Sequence, residues 1–125
     1  MIFGVGMDLI ETSRIEASWK RFGKRFLARV FLPEEIAYCL SMKFPARHLA
    51  ARFAAKEAVS KAFGTGIGAQ LGWKDIEVRR DPNGRPFLLL HGGGERLFRE
   101  CGATRAHLSL THHETAAAAV AVLEC

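Results

Sequence analysis

Alanine stands at positions 50, 51, 54, 55, 58 and 62 between Ala46 and Phe63, and no other feature narrows the fold as much. Alanine is the strongest helix former and has the smallest side chain that still carries a Cβ. The stretch therefore reads as one long helix, roughly 46–63, able to pack closely on its neighbours. Lys43-Phe44-Pro45 punctuates the chain before it. Gly64 ends it, and Gly64-Thr65-Gly66-Ile67-Gly68 reads as a flexible loop.

The segments around this helix alternate between strand and helix patterns. Residues 2–10 alternate like a strand, with Phe3, Val5, Met7 and Leu9 on one face and Gly4, Gly6 and Asp8 on the other. Ser13-x-x-Glu16 has the form of a capping box, which predicts a helix from about Arg14. Its apolar line is Ile15, Trp19, Phe22 and Phe26, with a break at Gly23. Pro33-Glu34-Glu35 is a second helix start, carrying Ile36 and Leu40 inward. After the glycine loop, 75–79 and 87–90 flank the turn Asp81-Pro82-Asn83-Gly84 and read as a β-hairpin. A short helix near 95–101 precedes two more strands, 106–110 and 117–123, joined around His113-Glu114. The expectation is an α+β fold, a mostly antiparallel sheet packed with helices, in a single domain over 1–125.

Composition removes several classes of function. The chain has 125 residues, 49% of them hydrophobic and 25% charged, which excludes a disordered, collagen-like or coiled-coil protein. No apolar run approaches the ~20 residues of a membrane span, and residues 1–10 lack the pattern of a signal peptide. Cys39, Cys101 and Cys125 are odd in number, widely spaced and without a CxxC, so they read as reduced thiols in a cytoplasmic protein. A net charge of +5 favours an anionic partner: nucleic acid, a phosphorylated cofactor or an acidic protein. Charge alone does not choose among them.

The densest group of chemically capable residues is at the end of the alanine helix. Glu57 and Lys61 are four apart, hence on one face, a turn before the glycines. Such a pair is either a surface ion pair or a metal ligand beside a phosphate-neutralising lysine, with glycine amides free to approach the phosphate. Asp8, beside Gly4 and Gly6, is either a turn aspartate or a carboxylate with room on its own face for a ligand. Magnesium takes one or two protein carboxylates and completes its shell with water and phosphate oxygens, so Asp8 and Glu57 would suffice if they met. Arg14, Arg21 and Arg25 fall within about forty degrees of one another on a helix, which is either a solvated face or a docking stripe for an acidic helix. His107, Ser109 and Thr111 share a polar strand face. His112-His113-Glu114 lacks the spacing and cysteine support of a zinc site. No serine sits in a nucleophile elbow.

Taken together, these motifs resemble the holo-[acyl-carrier-protein] synthases, the small bacterial type of 4′-phosphopantetheinyl transferase. The resemblance is carried by Gly6-x-Asp8-Leu9-Ile10-Glu11 with Arg14-Ile15, and by Arg52-Phe53-Ala54-Ala55-Lys56-Glu57-Ala58 through Lys61-Ala62-Phe63-Gly64-Thr65-Gly66. It continues in Asp75-Ile76-Glu77-Val78, Gly84-x-Pro86 and His107-Leu108-Ser109-Leu110-Thr111-His112, in the family's order over nearly the whole chain. At Thr111 serine is more usual, but a hydroxyl is kept.

The resemblance implies transfer of phosphopantetheine from coenzyme A to a serine of apo acyl carrier protein, with release of 3′,5′-ADP, in fatty acid biosynthesis. It implies Asp8 and Glu57 as magnesium ligands and Lys61 on the phosphates. Gly64, Thr65 and Gly66 would line the coenzyme A site, and Arg52 and His107 would lie near its nucleotide phosphates, helped by Lys43 or Arg47. Arg14, Arg21 and Arg25 would receive the carrier. The family's homotrimers place active sites between subunits. The group that takes the serine proton stays open between Glu57 and a water held near Asp8. The competing readings are a basic nucleic-acid-binding module, which lacks any recognisable binding signature here, and a non-catalytic coenzyme A binder of the same fold.

Overall fold

The computed structural model describes residues 1–125. Its elements run β1 (Ile2–Glu11), α1 (Thr12–Phe22), α2 (Lys24–Val30), α3 (Pro33–Leu40), α4 (Pro45–Phe63), β2 (Ile76–Arg80), β3 (Pro86–Leu90), α5 (Gly92–Glu100), β4 (Arg105–His112) and β5 (Ala116–Glu124). β1, β5 and β4 form an antiparallel sheet in that order, and β2 and β3 form a separate antiparallel hairpin. The α+β expectation holds. No helix is long and apolar enough to cross a membrane.

The alanine helix α4 lies on one face of the three-stranded sheet. Pairing puts Gly6, Ala121 and Leu108 in one row and Asp8, Ala119 and Leu110 in the next, all toward the helix. A Cβ added at Gly6 would stand 1.8 Å from the Ala58 carbonyl oxygen, and one at Gly4 1.9 Å from that of Ala62. Helix backbone thus rests directly on strand backbone, and only glycine fits between them. The space over Gly4 and Gly6 is therefore taken by the helix. The bulky residues of β1 face outward: Phe3, Val5, Met7 and Leu9 are all exposed, Leu9 to 71%.

Other local expectations are corrected in detail. β1 runs straight into α1, which starts at Thr12 with no side-chain cap, so the Ser13–Glu16 box does not form. The Thr12 N–H instead donates to the carbonyl of Thr115 in the β4–β5 connection. Gly23 does divide α1 from α2, at φ 59°. Phe22 points to solvent, while Ile15 is buried and Trp19 and Phe26 pack at the edge of the core. In α3 Glu35 and Cys39 are buried, Ile36 packs against the core as expected, and Leu40 is exposed.

Glu35 turns inward because a second buried charge meets it. Lys56 Nζ lies 2.8 Å from Glu35 Oε1, with both side chains fully buried. The ammonium also donates to the carbonyls of Trp73 and Ile76, at 3.0 and 2.6 Å, which uses all three of its hydrogens. Glu35 in turn accepts from the Leu32 and Val78 N–H groups. Burial pushes the Lys56 pKa down, and the Glu35 carboxylate opposes that. This saturated pair ties α3, α4 and β2 together. Burial likewise pushes the Cys39 thiol up to about 11, and all three cysteines are unpaired.

Gly6→Ala tests the close approach. The added methyl meets backbone, which cannot rotate away, so the expected cost is about 3 kcal/mol or more, roughly 10 °C in Tm. A calorimetric scan showing an unchanged Tm would mean that α4 does not rest on β1 as described.

Candidate active site

The glycine–alanine contact sets which part of α4 lies beside Asp8. Gly4 sits under Ala62 and Gly6 under Ala58, so β1 runs opposite to the helix. Lys61 reaches back across this contact. Its Nζ is 3.1 Å from Asp8 Oδ1 and donates to the Met7 carbonyl at 3.0 Å. The Asp8 side chain is 17% exposed and that of Lys61 51%. Glu57 stands on the same edge, half-buried. Burial pushes its carboxyl up, the neighbouring Asp8 charge adds to that, and Lys61 opposes it. Asp8, which the sequence leaves apart from the Glu57–Lys61 pair, is thus brought to it.

The donor set fits magnesium. Burial and the Asp8 charge raise the cost of ionising Glu57, which a divalent cation relieves, and no third carboxylate, histidine or cysteine joins them. That leaves coordination positions for water and phosphate oxygens, as magnesium prefers. Directly after Lys61 the helix closes on Gly64, left-handed at φ 83°, and Gly66 follows at φ 67°. The Thr65 and Gly66 N–H groups both donate to the Ser60 carbonyl. No atom lies within 4 Å of a Cβ built on Gly64, Gly66 or Gly68, so the loop presents open backbone beside the lysine.

Arg52 is placed elsewhere. Five residues before Glu57, it sits about 140° around the helix, on the α3 and β2 side. It is 1% exposed, its guanidinium lies 4.2 Å from the Tyr38 ring centroid, and its Nε and Nη1 have no hydrogen-bond partner. The Arg80 guanidinium approaches the same ring at 5.8 Å, with its own Nε buried and unpaired. Arg52, Arg80 and Tyr38 line a recess of about 410 Å³. His48 and His112 pack edge to face beside them, 4.8 Å apart. Burial, and then the surrounding positive charges, push both imidazoles down. Tyr38, His48, Arg80 and His112 are absent from the sequence-based site. The available signal was the four-residue step linking His48, Arg52 and Lys56 on one side of the helix.

His107 lies on a third surface. It pairs with Val122, which pairs with Val5, so it belongs to the outer face of the sheet, opposite Asp8. It lines a recess of about 560 Å³ with Arg85, Pro86, Phe87 and Arg105. Lys43 and Arg47 both pack on the Phe44 ring in the largest recess, about 840 Å³, where Glu11, Glu16 and Glu114 offset them. That recess holds none of Asp8, Glu57 and Lys61. Arg14, Arg21 and Arg25 are exposed on α1 and α2, and Arg21 stacks over the exposed Phe22 ring at 5.0 Å.

Comparison with known proteins identifies the family. Residues 4–121 match the model of the 4′-phosphopantetheinyl transferase superfamily. A holo-[acyl-carrier-protein] synthase of Koribacter versatilis is 48% identical over 124 residues, covering 99% of each chain. Among solved structures, the Neisseria meningitidis holo-[acyl-carrier-protein] synthase is 35% identical and superposes with a TM-score of 0.92 over 100% of both chains. The Helicobacter pylori enzyme, solved in complex with coenzyme A, is 32% identical, with a TM-score of 0.86 over 96% of this chain and 99% of that one. By sequence over nearly its full length and by fold, the chain belongs to the 4′-phosphopantetheinyl transferase superfamily.

Proposed function

We propose that the chain transfers 4′-phosphopantetheine from coenzyme A to a serine hydroxyl of apo acyl carrier protein, releasing 3′,5′-ADP, as a magnesium-dependent step of fatty acid biosynthesis in the cytoplasm. The observation that carries this reading is the meeting of Asp8, Glu57 and Lys61 beside an open glycine loop. The Helicobacter pylori relative, solved with coenzyme A bound, supports the choice of donor.

Each residue has a task that follows from its place. Asp8 and Glu57 would hold the ion, which supplies positive charge to the pyrophosphate when bound. Lys61, half exposed and tied by one ion pair, is free to turn from Asp8 to a phosphate oxygen. Gly64, Thr65 and Gly66 let the pyrophosphate come close to the backbone, which fixes its direction for in-line attack. Arg14, Arg21 and Arg25, with the exposed Phe22 among them, offer an acidic carrier helix both charge and one apolar contact.

Arg52 and His107 cannot join Asp8 within one chain, since one is around the helix and the other across the sheet. A homotrimer resolves this by letting a neighbour supply them. The outer face of β1 and β5, with Phe3, Val5, Met7, Leu9 and Val120 exposed, suits burial against another subunit.

Five measurements test this reading. Incubation with apo carrier protein, coenzyme A and magnesium should add phosphopantetheine to the carrier mass. EDTA should stop transfer and magnesium restore it, and Asp8→Asn or Glu57→Gln should lower kcat/KM at least about a hundredfold with the fold intact. Full turnover in EDTA would remove the metal assignment. Reversing Arg14 and Arg21 to glutamate should raise KM for the carrier about tenfold at low salt, with less effect as screening shortens to about 10 Å at 0.1 M. An equal loss for coenzyme A would show the stripe to be misplaced. Light scattering should give about three times 13.8 kDa. Inactive Glu57→Gln and His107→Ala chains, refolded together, should regain activity through mixed sites; a fully active monomer would refute the shared site.

A further inference from the structure

Arg80, at the end of β2, is outside the set of site residues read from the sequence, yet it shares a polar deficit with Arg52. Four buried side-chain polar atoms in the chain lack a hydrogen-bond partner: Arg52 Nε and Nη1, Arg80 Nε, and Thr12 Oγ1. Three of the four therefore belong to these two guanidinium groups. Both groups stand over one ring, at 4.2 Å for Arg52 and 5.8 Å for Arg80 from the Tyr38 centroid. Both line the recess of about 410 Å³ between α3, α4 and the β2–β3 turn.

The recess also holds two carboxylates, and both are already engaged. Glu34 pairs with Arg79 at 3.1 Å, and Asp81 Oδ1 accepts from the Asn83 and Arg85 N–H groups at 2.9 Å each. Neither Arg52 nor Arg80 joins any ion pair of the chain. Arg80 is held instead by its Nη1, which donates to the Gly84 carbonyl at 2.6 Å across the turn. That bond fixes the guanidinium in place and leaves its Nε with nothing to donate to. Two cations set against one ring repel each other, and each unpaired buried donor adds a cost that an arriving anion removes.

We propose that Arg80 is a specificity-determining residue: with Arg52 it seats the ribose phosphomonoester of coenzyme A, and so selects the coenzyme over its dephosphorylated form. The assignment rests on the transfer reaction proposed above. Coenzyme A carries two kinds of anion. Its pyrophosphate has one charge on each phosphorus and belongs with Asp8, Glu57 and Lys61. Its phosphomonoester stays on 3′,5′-ADP, is close to dianionic at neutral pH and offers three acceptor oxygens. One guanidinium answers one of those charges, and a second answers the other through its own planar fork. A bare hydroxyl at the same point would leave the buried donors unpaired, which is how a hydrogen-bonding site rejects a ligand that lacks the group. Arg52 and Asp8 lie on different sides of α4, so in a homotrimer the seat serves the nucleotide whose pyrophosphate a neighbouring subunit holds.

Calorimetry and kinetics test this separately. The wild-type chain should bind 3′,5′-ADP about a hundredfold more tightly than 5′-AMP, and its KM for dephospho-coenzyme A should exceed that for coenzyme A by a similar factor. Arg80→Gln should cut both preferences about tenfold, through weaker binding of the phosphorylated member of each pair. Arg80→Lys keeps the charge without the fork and should lie between the two, and it carries the same comparison if Arg80→Gln lowers Tm. Equal binding of 3′,5′-ADP and 5′-AMP by the wild type would overturn the assignment. So would an unchanged preference in both variants, or an equal loss for both members of a pair. Inorganic phosphate binding as tightly as 3′,5′-ADP would make this a seat for the free anion and overturn it too. A chain that separates the two nucleotides but transfers no phosphopantetheine would overturn instead the reaction on which the assignment rests.

Discussion

Everything in this structure that bears on chemistry depends on the backbone-to-backbone contact between α4 and β1. A helix that rests on side chains can roll or slide by small repacking steps. One that rests on glycine Cα atoms cannot, because there is nothing compressible between the two backbones. Gly4 and Gly6 under Ala62 and Ala58 therefore fix both the height and the rotation of α4. That in turn brings Glu57 and Lys61 to the strand edge where Asp8 stands, within hydrogen-bonding distance in the case of Lys61. The same contact turns the bulky half of β1 outward, so the exposed apolar face and the carboxylate cluster have one origin.

Much of this could be read from residues alone. The alanine spacing marked α4, the Asp81–Gly84 turn marked the β2–β3 hairpin, and Gly23 marked the break between α1 and α2. Two kinds of fact were hidden. The first is direction: the alternation in β1 shows two faces but does not say which is covered, and bulky residues are ordinarily the inner ones. The glycines reverse that rule because the partner is a helix backbone. The second is long-range pairing. Glu35 after a proline looks like a charge suited to a helix start, and Lys56 looks like a solvated helix residue. Only folding shows that they neutralise each other inside. The local pattern in α3 misleads for the same reason, because the pair draws Glu35 inward and leaves Leu40 outside.

Two buried cations one helical turn apart illustrate how a saturated and an unsaturated charge differ. Lys56 has three acceptors for three hydrogens and has no capacity left for a ligand. Arg52 keeps two nitrogens unpaired against a tyrosine face, and Arg80 beside it keeps one. An unpaired buried donor is costly, and the cost falls when an anion arrives. The sequence presents both residues in one motif. Their hydrogen-bond balance separates them.

The sheet order has a consequence for how the chain reaches this state. β1 is an edge strand whose only neighbour in the sheet is β5, more than a hundred residues later. On a ribosome, β1 and α4 emerge well before the strand that completes the sheet, and the apolar outer face of β1 is then uncovered. Pairing of residues so distant in sequence closes a long loop, which slows the final step relative to the local formation of the helices. The first strand to be synthesised is thus the last to be incorporated, and its unpaired backbone edge is open to other chains while it waits.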